Sequence, residues 1–152
     1  MVTLATLCMA LYLVSFTAGL ALAHLLQWAP KRKLAARGFL NVQQTFYAAY
    51  GPVAGLLEAG AVVACIVTAF RLDTESGAYP WVLTVLACLT LMFLVWAALI
   101  EPINRRVSKW TAESLPPDWA AVGVERWHIL HTIRLGLAAT ALVCLIVSIL
   151  NI

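Results

Sequence analysis

Charge is what this chain has least of. Only 11% of its 152 residues are Asp, Glu, Lys or Arg, against roughly one-quarter in an ordinary soluble domain. Hydrophobic residues make up 63% and the mean hydropathy is +0.92. So few charges cannot cover a water-facing surface, which excludes a soluble globular protein and leaves one membrane domain over residues 1–152. No internal repeat, low-complexity tract or linker interrupts the chain, and no stretch remains for a separate soluble domain. Disulfide signals are missing as well. Cys8, Cys65, Cys88 and Cys144 fall one to each apolar run without a CxxC pair, so they read as small core residues in preference to a four-thiolate metal site. The first apolar run lacks a basic n-region and is too long for a signal peptide, despite the small-residue sequence Ala21-Leu22-Ala23. The net charge of +3 comes from residues that flank apolar runs, so no nucleic-acid partner is expected. Alternating-access transport has little basis without an inverted repeat or a broken span.

What the chain does have is four apolar runs, about 2–26, 51–70, 81–100 and 129–149. Each approaches the ~20 residues that cross ~30 Å of hydrocarbon. The predicted fold is all-α: a four-transmembrane-helix bundle embedded in the lipid bilayer. Trp28, Trp81, Trp110, Trp119 and Trp127 lie near the span ends, where indoles prefer the interface, and Trp96 is the exception. Lys31, Arg32, Lys33 and Arg37 crowd the first loop, and Arg105, Arg106, Lys109 and Arg126 the third, whereas the second holds only Arg71. By the positive-inside rule loops one and three are cytoplasmic and both termini non-cytoplasmic, which in a bacterium means the cytoplasmic inner membrane.

The first loop, 27–41, leads into a polar and aromatic stretch, 42–47, that can be helical ahead of Pro52. The second, 71–80, reads as a simple turn between antiparallel helices. The third is expected to stay helical to about Leu115, to break at Pro116-Pro117 and to restart with Asp118 as a cap. Gly51, Gly55 and Ala59 form a small-xxx-small face, a packing signal within the bundle or for a homo-oligomer.

Polar side chains at membrane depth are costly, so each is a functional candidate. His24 ends the first span, Glu58 lies in the second, Glu101 and Asn104 close the third, and His128, His131 and Arg134 open the fourth. At ~1.5 Å per residue, His24, His131, Glu101 and Asn104 fall near the cytoplasmic boundary, with Glu58 and Arg134 a turn or two deeper. Polar groups from all four helices thus converge on one layer. Trp127, His131 and Arg134 follow i, i+4, i+7 spacing and share a face, while Gln44, Tyr47, Gly51, Gly55 and Glu58 make a facing stripe. His24, His131, His128 and Glu58 are residue types that ligate a transition metal or haem, with His24, His131 and Glu58 the candidate metal set. Glu58 with Arg134 also reads as a buried ion pair, and Glu101 as an i, i+4 partner of Arg105.

Pro102-Ile103-Asn104-Arg105-Arg106, followed after a proline-containing loop by Arg126-Trp127-His128-Ile129-Leu130-His131-Thr132-Ile133-Arg134, resembles the anthrone oxygenase-like family of small four-helix membrane proteins. The family pattern there is proline, any residue, asparagine, then tryptophan, three residues, histidine or asparagine, two residues, arginine. His24 resembles the histidine that ends helix one in many members, and Tyr47 with Pro52 the aromatic and proline before helix two. The proline that usually follows that histidine is Leu25 here. Some members oxidise anthrones to anthraquinones with molecular oxygen.

The resemblance implies a membrane-embedded oxidoreductase acting with O2 on a small aromatic or phenolic substrate that enters between the helices. His131 or His24 would serve as base, and Asn104 and Arg134 would hold the oxyanion. Oxygenation would proceed without a cofactor or at a bound metal. Two other classes stay open: a haem- or metal-binding protein for electron transfer or sensing through His24 and His131, and a non-catalytic scaffold or partner subunit whose polar layer fixes helix register.

Overall fold

The computed structural model describes residues 2–46 and 50–152. Among the described residues seven α-helices follow in order: α1 (Val2–Leu26), α2 (Trp28–Lys31), α3 (Ala36–Phe46), α4 (Tyr50–Arg71), α5 (Tyr79–Val95), α6 (Glu101–Val107) and α7 (Trp127–Leu150). π-Helical turns at Trp96–Ile100 and Ala120–Arg126 join α5 to α6 and lead into α7. No strand occurs among the described residues.

Four continuous helical segments are long and apolar enough to cross a membrane: Thr3–Lys31, Tyr50–Arg71, Tyr79–Val107 and Ala120–Leu150. Three of them outrun the expected spans. Their 29, 29 and 31 residues rise about 43–46 Å at ~1.5 Å each, more than ~30 Å of hydrocarbon requires. The excess of all three lies at one end of the bundle and carries Lys31, Asn104 and Glu125, which a hydropathy reading assigns to loops.

Pro102 sits inside the third segment without breaking it. The missing N–H of proline removes one i→i−4 bond, and the π turn adapts to this: the Glu101 N–H donates five residues back to the Trp96 carbonyl. The expected helix to Leu115 is not formed. The helix ends at Val107, and Thr111 and Ser114 lock the following turn, each backbone N–H donating to the other's hydroxyl (2.9 and 3.2 Å). Asp118 does not cap the next helix with its side chain. Trp119 occupies the cap position, and Asp118 contributes only its carbonyl, which accepts from the Val122 N–H at 3.1 Å. The 27–41 loop is largely helical, holding α2 and the start of α3.

Around the bundle α4 packs on α1, α1 on α7 and α7 on α5, while α4 and α5 touch sparsely. The main core alternates small and large residues, Ala10, Ala61, Ala138 and Ala141 beside Leu7, Val85 and Met92. Small residues suit a bundle in lipid, where helices associate by close packing and not by escape from water. Cys65, Cys88 and Cys144 are buried and free, and Cys8 is free on the outer surface. Lipid-side hydroxyls satisfy themselves within their own helix: Ser15 donates to the Leu11 carbonyl (2.7 Å), Thr90 to Leu86 (2.8 Å) and Thr140 to Gly136 (3.0 Å).

A second core closes the polar end, with Phe39 of α3 buried among Ile103, Val107, Val124 and Trp127. Here Gly123 is required by space: a Cβ there would lie 2.9 Å from Phe39 Cζ and 3.2 Å from Trp110. On the outside, the Glu125 carboxylate accepts two bonds from Arg32 (2.5 and 2.7 Å) and one from Trp28 Nε1 (3.1 Å), tying α2 to the turn before α7. The same carboxylate raises the Arg32 guanidinium above its usual range.

Candidate functional site

The weak seam between α4 and α5 widens into a cavity of about 920 Å³. Its walls hold every polar candidate of the second and third spans, Glu58, Glu101 and Asn104, together with His24, His131 and Arg134. Convergence of polar groups from four helices on one layer is therefore what the fold achieves. The Trp127, His131, Arg134 face turns inward, and so does the opposing stripe through Gln44, Gly51, Gly55 and Glu58. Tyr47 lies outside the described residues.

At the heart of this layer the His24 and His131 rings touch, with centroids 4.3 Å apart. Trp127 packs on both, at 4.0 Å from His131 and 4.9 Å from His24. The indole is held in turn by Asn104, whose Oδ1 accepts from Trp127 Nε1 at 2.9 Å. Asn104 thus has only its NH2 group left to donate to a ligand. His131 is 4% exposed, and neither of its ring nitrogens has a hydrogen-bond partner among the described residues. A buried imidazole costs free energy in that state, and the ring lies in the cavity wall with both nitrogens almost covered, so a cavity ligand meets a nitrogen once the ring turns.

One turn deeper, Arg134 Nη2 donates to Glu58 Oε1, the ion pair expected from their depth. The Arg134 Nε–H is buried and has no partner among the described residues. Glu101 pairs with Arg105 at 2.9 Å, as its spacing suggested. His128 is placed elsewhere. It is fully buried behind Trp127, stacked on Trp28 (5.9 Å, 8° between planes), with Nδ1 2.6 Å from the Val124 carbonyl, and it does not line the cavity.

The residues fit a metal or haem poorly. Among the described residues no group of three or more His, Cys, Asp or Glu side chains is arranged to hold a metal ion, and the Glu58 carboxylate is occupied by Arg134. Two imidazoles in ring contact leave no space for a macrocycle between them.

Three features escaped the sequence. Lys31 is 3% exposed, donates to Gln43 Oε1 at 2.8 Å and places Nζ 4.7 Å from the Trp127 ring centroid, so a residue of the basic cluster forms the floor beneath the site. Gln44 donates to the Val107 and Trp110 carbonyls, both at 2.9 Å, fastening α3 across the polar end. Trp96, the one tryptophan away from the span ends, lines the cavity. Its mid-span position was the only available hint. Gly51 and Gly55 also act differently from expectation: a Cβ on either would meet nothing within 4 Å, so within this chain they make room and do not seat a helix.

A helical membrane bundle with a cavity between two of its helices and buried imidazoles at its polar end is the class of protein that these features define. More narrowly, the anthrone oxygenase pattern matches residues 43–144, and the chain belongs to that family. Asn104, Trp127, His131 and Arg134 fall inside the matched region and His24 before it. No curated protein and no solved structure matches the chain.

Proposed function

We propose that this chain is a membrane-embedded oxidoreductase that oxidises a small aromatic or phenolic substrate with O2 in the cavity between α4 and α5. The observation that carries the reading is His131, a buried imidazole facing a large apolar cavity with both ring nitrogens unpartnered among the described residues. A neutral imidazole in that setting takes a proton from an acidic phenol or from a CH2 group activated by neighbouring rings. The anion formed is electron-rich, and O2 accepts its electrons. For an anthrone-type substrate the balanced change is CH2 to C=O: one oxygen atom enters the carbonyl, and the other leaves as water with the two hydrogens.

Arg134 Nε–H and the Asn104 NH2 group are the donors suited to the developing oxyanion. Glu58 keeps the guanidinium in place and balances its charge, so the site takes up an anion without a surplus of buried positive charge. His24, in ring contact with His131, is the second base. Trp127 and the apolar walls keep water from the anion.

The test is anthrone oxidation by the purified chain in lipid nanodiscs, followed by quinone absorbance and O2 uptake, for wild type and His131→Ala. Wild-type turnover reduced ~100-fold or more in the variant is expected from loss of a general base. Equal turnover in both would remove His131 from the mechanism, and no turnover in either would favour the scaffold role.

A further inference from the structure

We infer that the substrate class is a phenolic ring carrying a hydrocarbon tail, with the ring oxygen at His131 and the tail leaving between α4 and α5 into the lipid. This rests on the function proposed above and specifies what the same site takes.

The cavity has two chemically distinct ends. His24, His131, Asn104 and the Glu58–Arg134 pair occupy one. Beyond Glu58, the next turn of α4 presents Val62 and Val63, and α5 presents Leu89 and Phe93. At about 920 Å³ the space lies near the upper end of the ~300–1,000 Å³ typical of small-molecule sites. A polar-edged ring fills the histidine end and leaves the apolar end for a chain.

The apolar end opens sideways. Val63 and Phe93 line the cavity and are 59% and 55% exposed, so the space between them is not closed off by other side chains. Phe93 lies 14 residues from either end of Tyr79–Val107 (93 − 79 and 107 − 93), and Val63 is 13 residues after Tyr50 and 8 before Arg71. Both therefore sit at hydrocarbon depth, where a tail is soluble and a polar ligand is not. At the other end α3 is fastened across the bundle by Gln44. On the polar side of Glu58, Gly51 and Gly55 leave open space at the ring end, where a Cβ on either would meet nothing within 4 Å, and Ala59 is the small residue between Glu58 and the valines. His131, buried and with both ring nitrogens unpartnered among the described residues, marks the polar end as the seat of a ligand.

The probe is a phenol with a long saturated chain ending in a photoreactive diazirine, applied to the full chain in nanodiscs and mapped by peptide mass spectrometry. Labelling is expected on α4 and α5 at the gap, at Val63, Ile66, Thr90 or Phe93, and is competed by the same phenol without the diazirine. Gly55→Leu, which fills the ring end of the cavity and so keeps the phenol from seating its tail in the gap, is expected to lower that labelling about ten-fold or more. Labels concentrated at the polar end, near Gln44 or Ser108, or spread evenly over outward faces such as Phe16 and Ile133, would overturn the inference. So would labelling at the gap that survives both competition and Gly55→Leu. Should the leucine variant misfold, the wild-type map and the competition still decide. Labelling at the gap without anthrone turnover would uphold the tail path and defeat the oxidation, whereas His131-dependent turnover with labels elsewhere would do the reverse.

Discussion

Asn104 and Trp127 are joined by a hydrogen bond of 2.9 Å between two helical segments, and through it the third span sets the ring on which both cavity histidines rest. The asparagine thereby acts on the histidines through the indole. Replacing it with leucine removes the Oδ1 acceptor from the Trp127 indole N–H, which costs about 1–3 kcal/mol. Asn104→Leu is expected to lower the thermal midpoint in detergent, while Asn104→Asp, which keeps an acceptor, retains more of the stability. Equal midpoints for wild type and Asn104→Leu would show that the bond holds nothing in place.

Glu58 and Arg134 face each other with side chains only 14% and 9% exposed. Removing one partner leaves a charge in a low-dielectric setting, at a cost of about 3–5 kcal/mol. Glu58→Gln and Arg134→Met are each expected to shift denaturant unfolding by that order. The double variant Glu58→Leu/Arg134→Met should recover most of the loss, because no lone charge remains. A double variant as unstable as the sum of the singles would mean that the two side chains act independently.

How much of this was legible in the sequence depended on how strongly the bilayer constrains each feature. Four spans could be read because every apolar run must approach the hydrocarbon thickness. The Glu58–Arg134 pair could be read because neither charge is tolerable alone at that depth. Face sharing by Trp127, His131 and Arg134 followed from helical spacing. Lys31 could not be read: next to Arg32 and Lys33 it looks like part of a topogenic cluster, and only the added turn of α2 folds it under Trp127. The role of Gly51 and Gly55 was equally hidden, since a small side chain either admits a helix or leaves a void, and the pattern is the same for both. Helix ends were misjudged where a π turn absorbed Pro102.

Gly123 has no room for a side chain in the second core, with Phe39 Cζ 2.9 Å from where a Cβ would stand. Phe39 is fully buried, so it has little room to retreat. Gly123→Ala is expected to destabilise the polar end by about 1–3 kcal/mol through overpacking. The effect should be local: amides of α3 would exchange faster by hydrogen–deuterium exchange, while those of the α1–α7 core stay protected. A companion Phe39→Leu substitution, which shortens the opposing ring, should restore part of the α3 protection. Unchanged exchange in Gly123→Ala would mean that α3 is not seated on this contact.

The sidedness predicted from the basic residues has its own test. Lys109 is exposed beyond the third span and Glu75 is exposed in the turn between the second and third. On the prediction that loops one and three are cytoplasmic, a cysteine at Lys109 is expected to resist a membrane-impermeant maleimide in intact bacterial cells and to react after permeabilisation. A cysteine at Glu75 is expected to react in both conditions. The native cysteines all lie within the spans and contribute a constant background. The reverse pattern would place the His24–His131 layer at the outer face of the membrane, where a substrate made in the cytoplasm must first cross the bilayer to reach it.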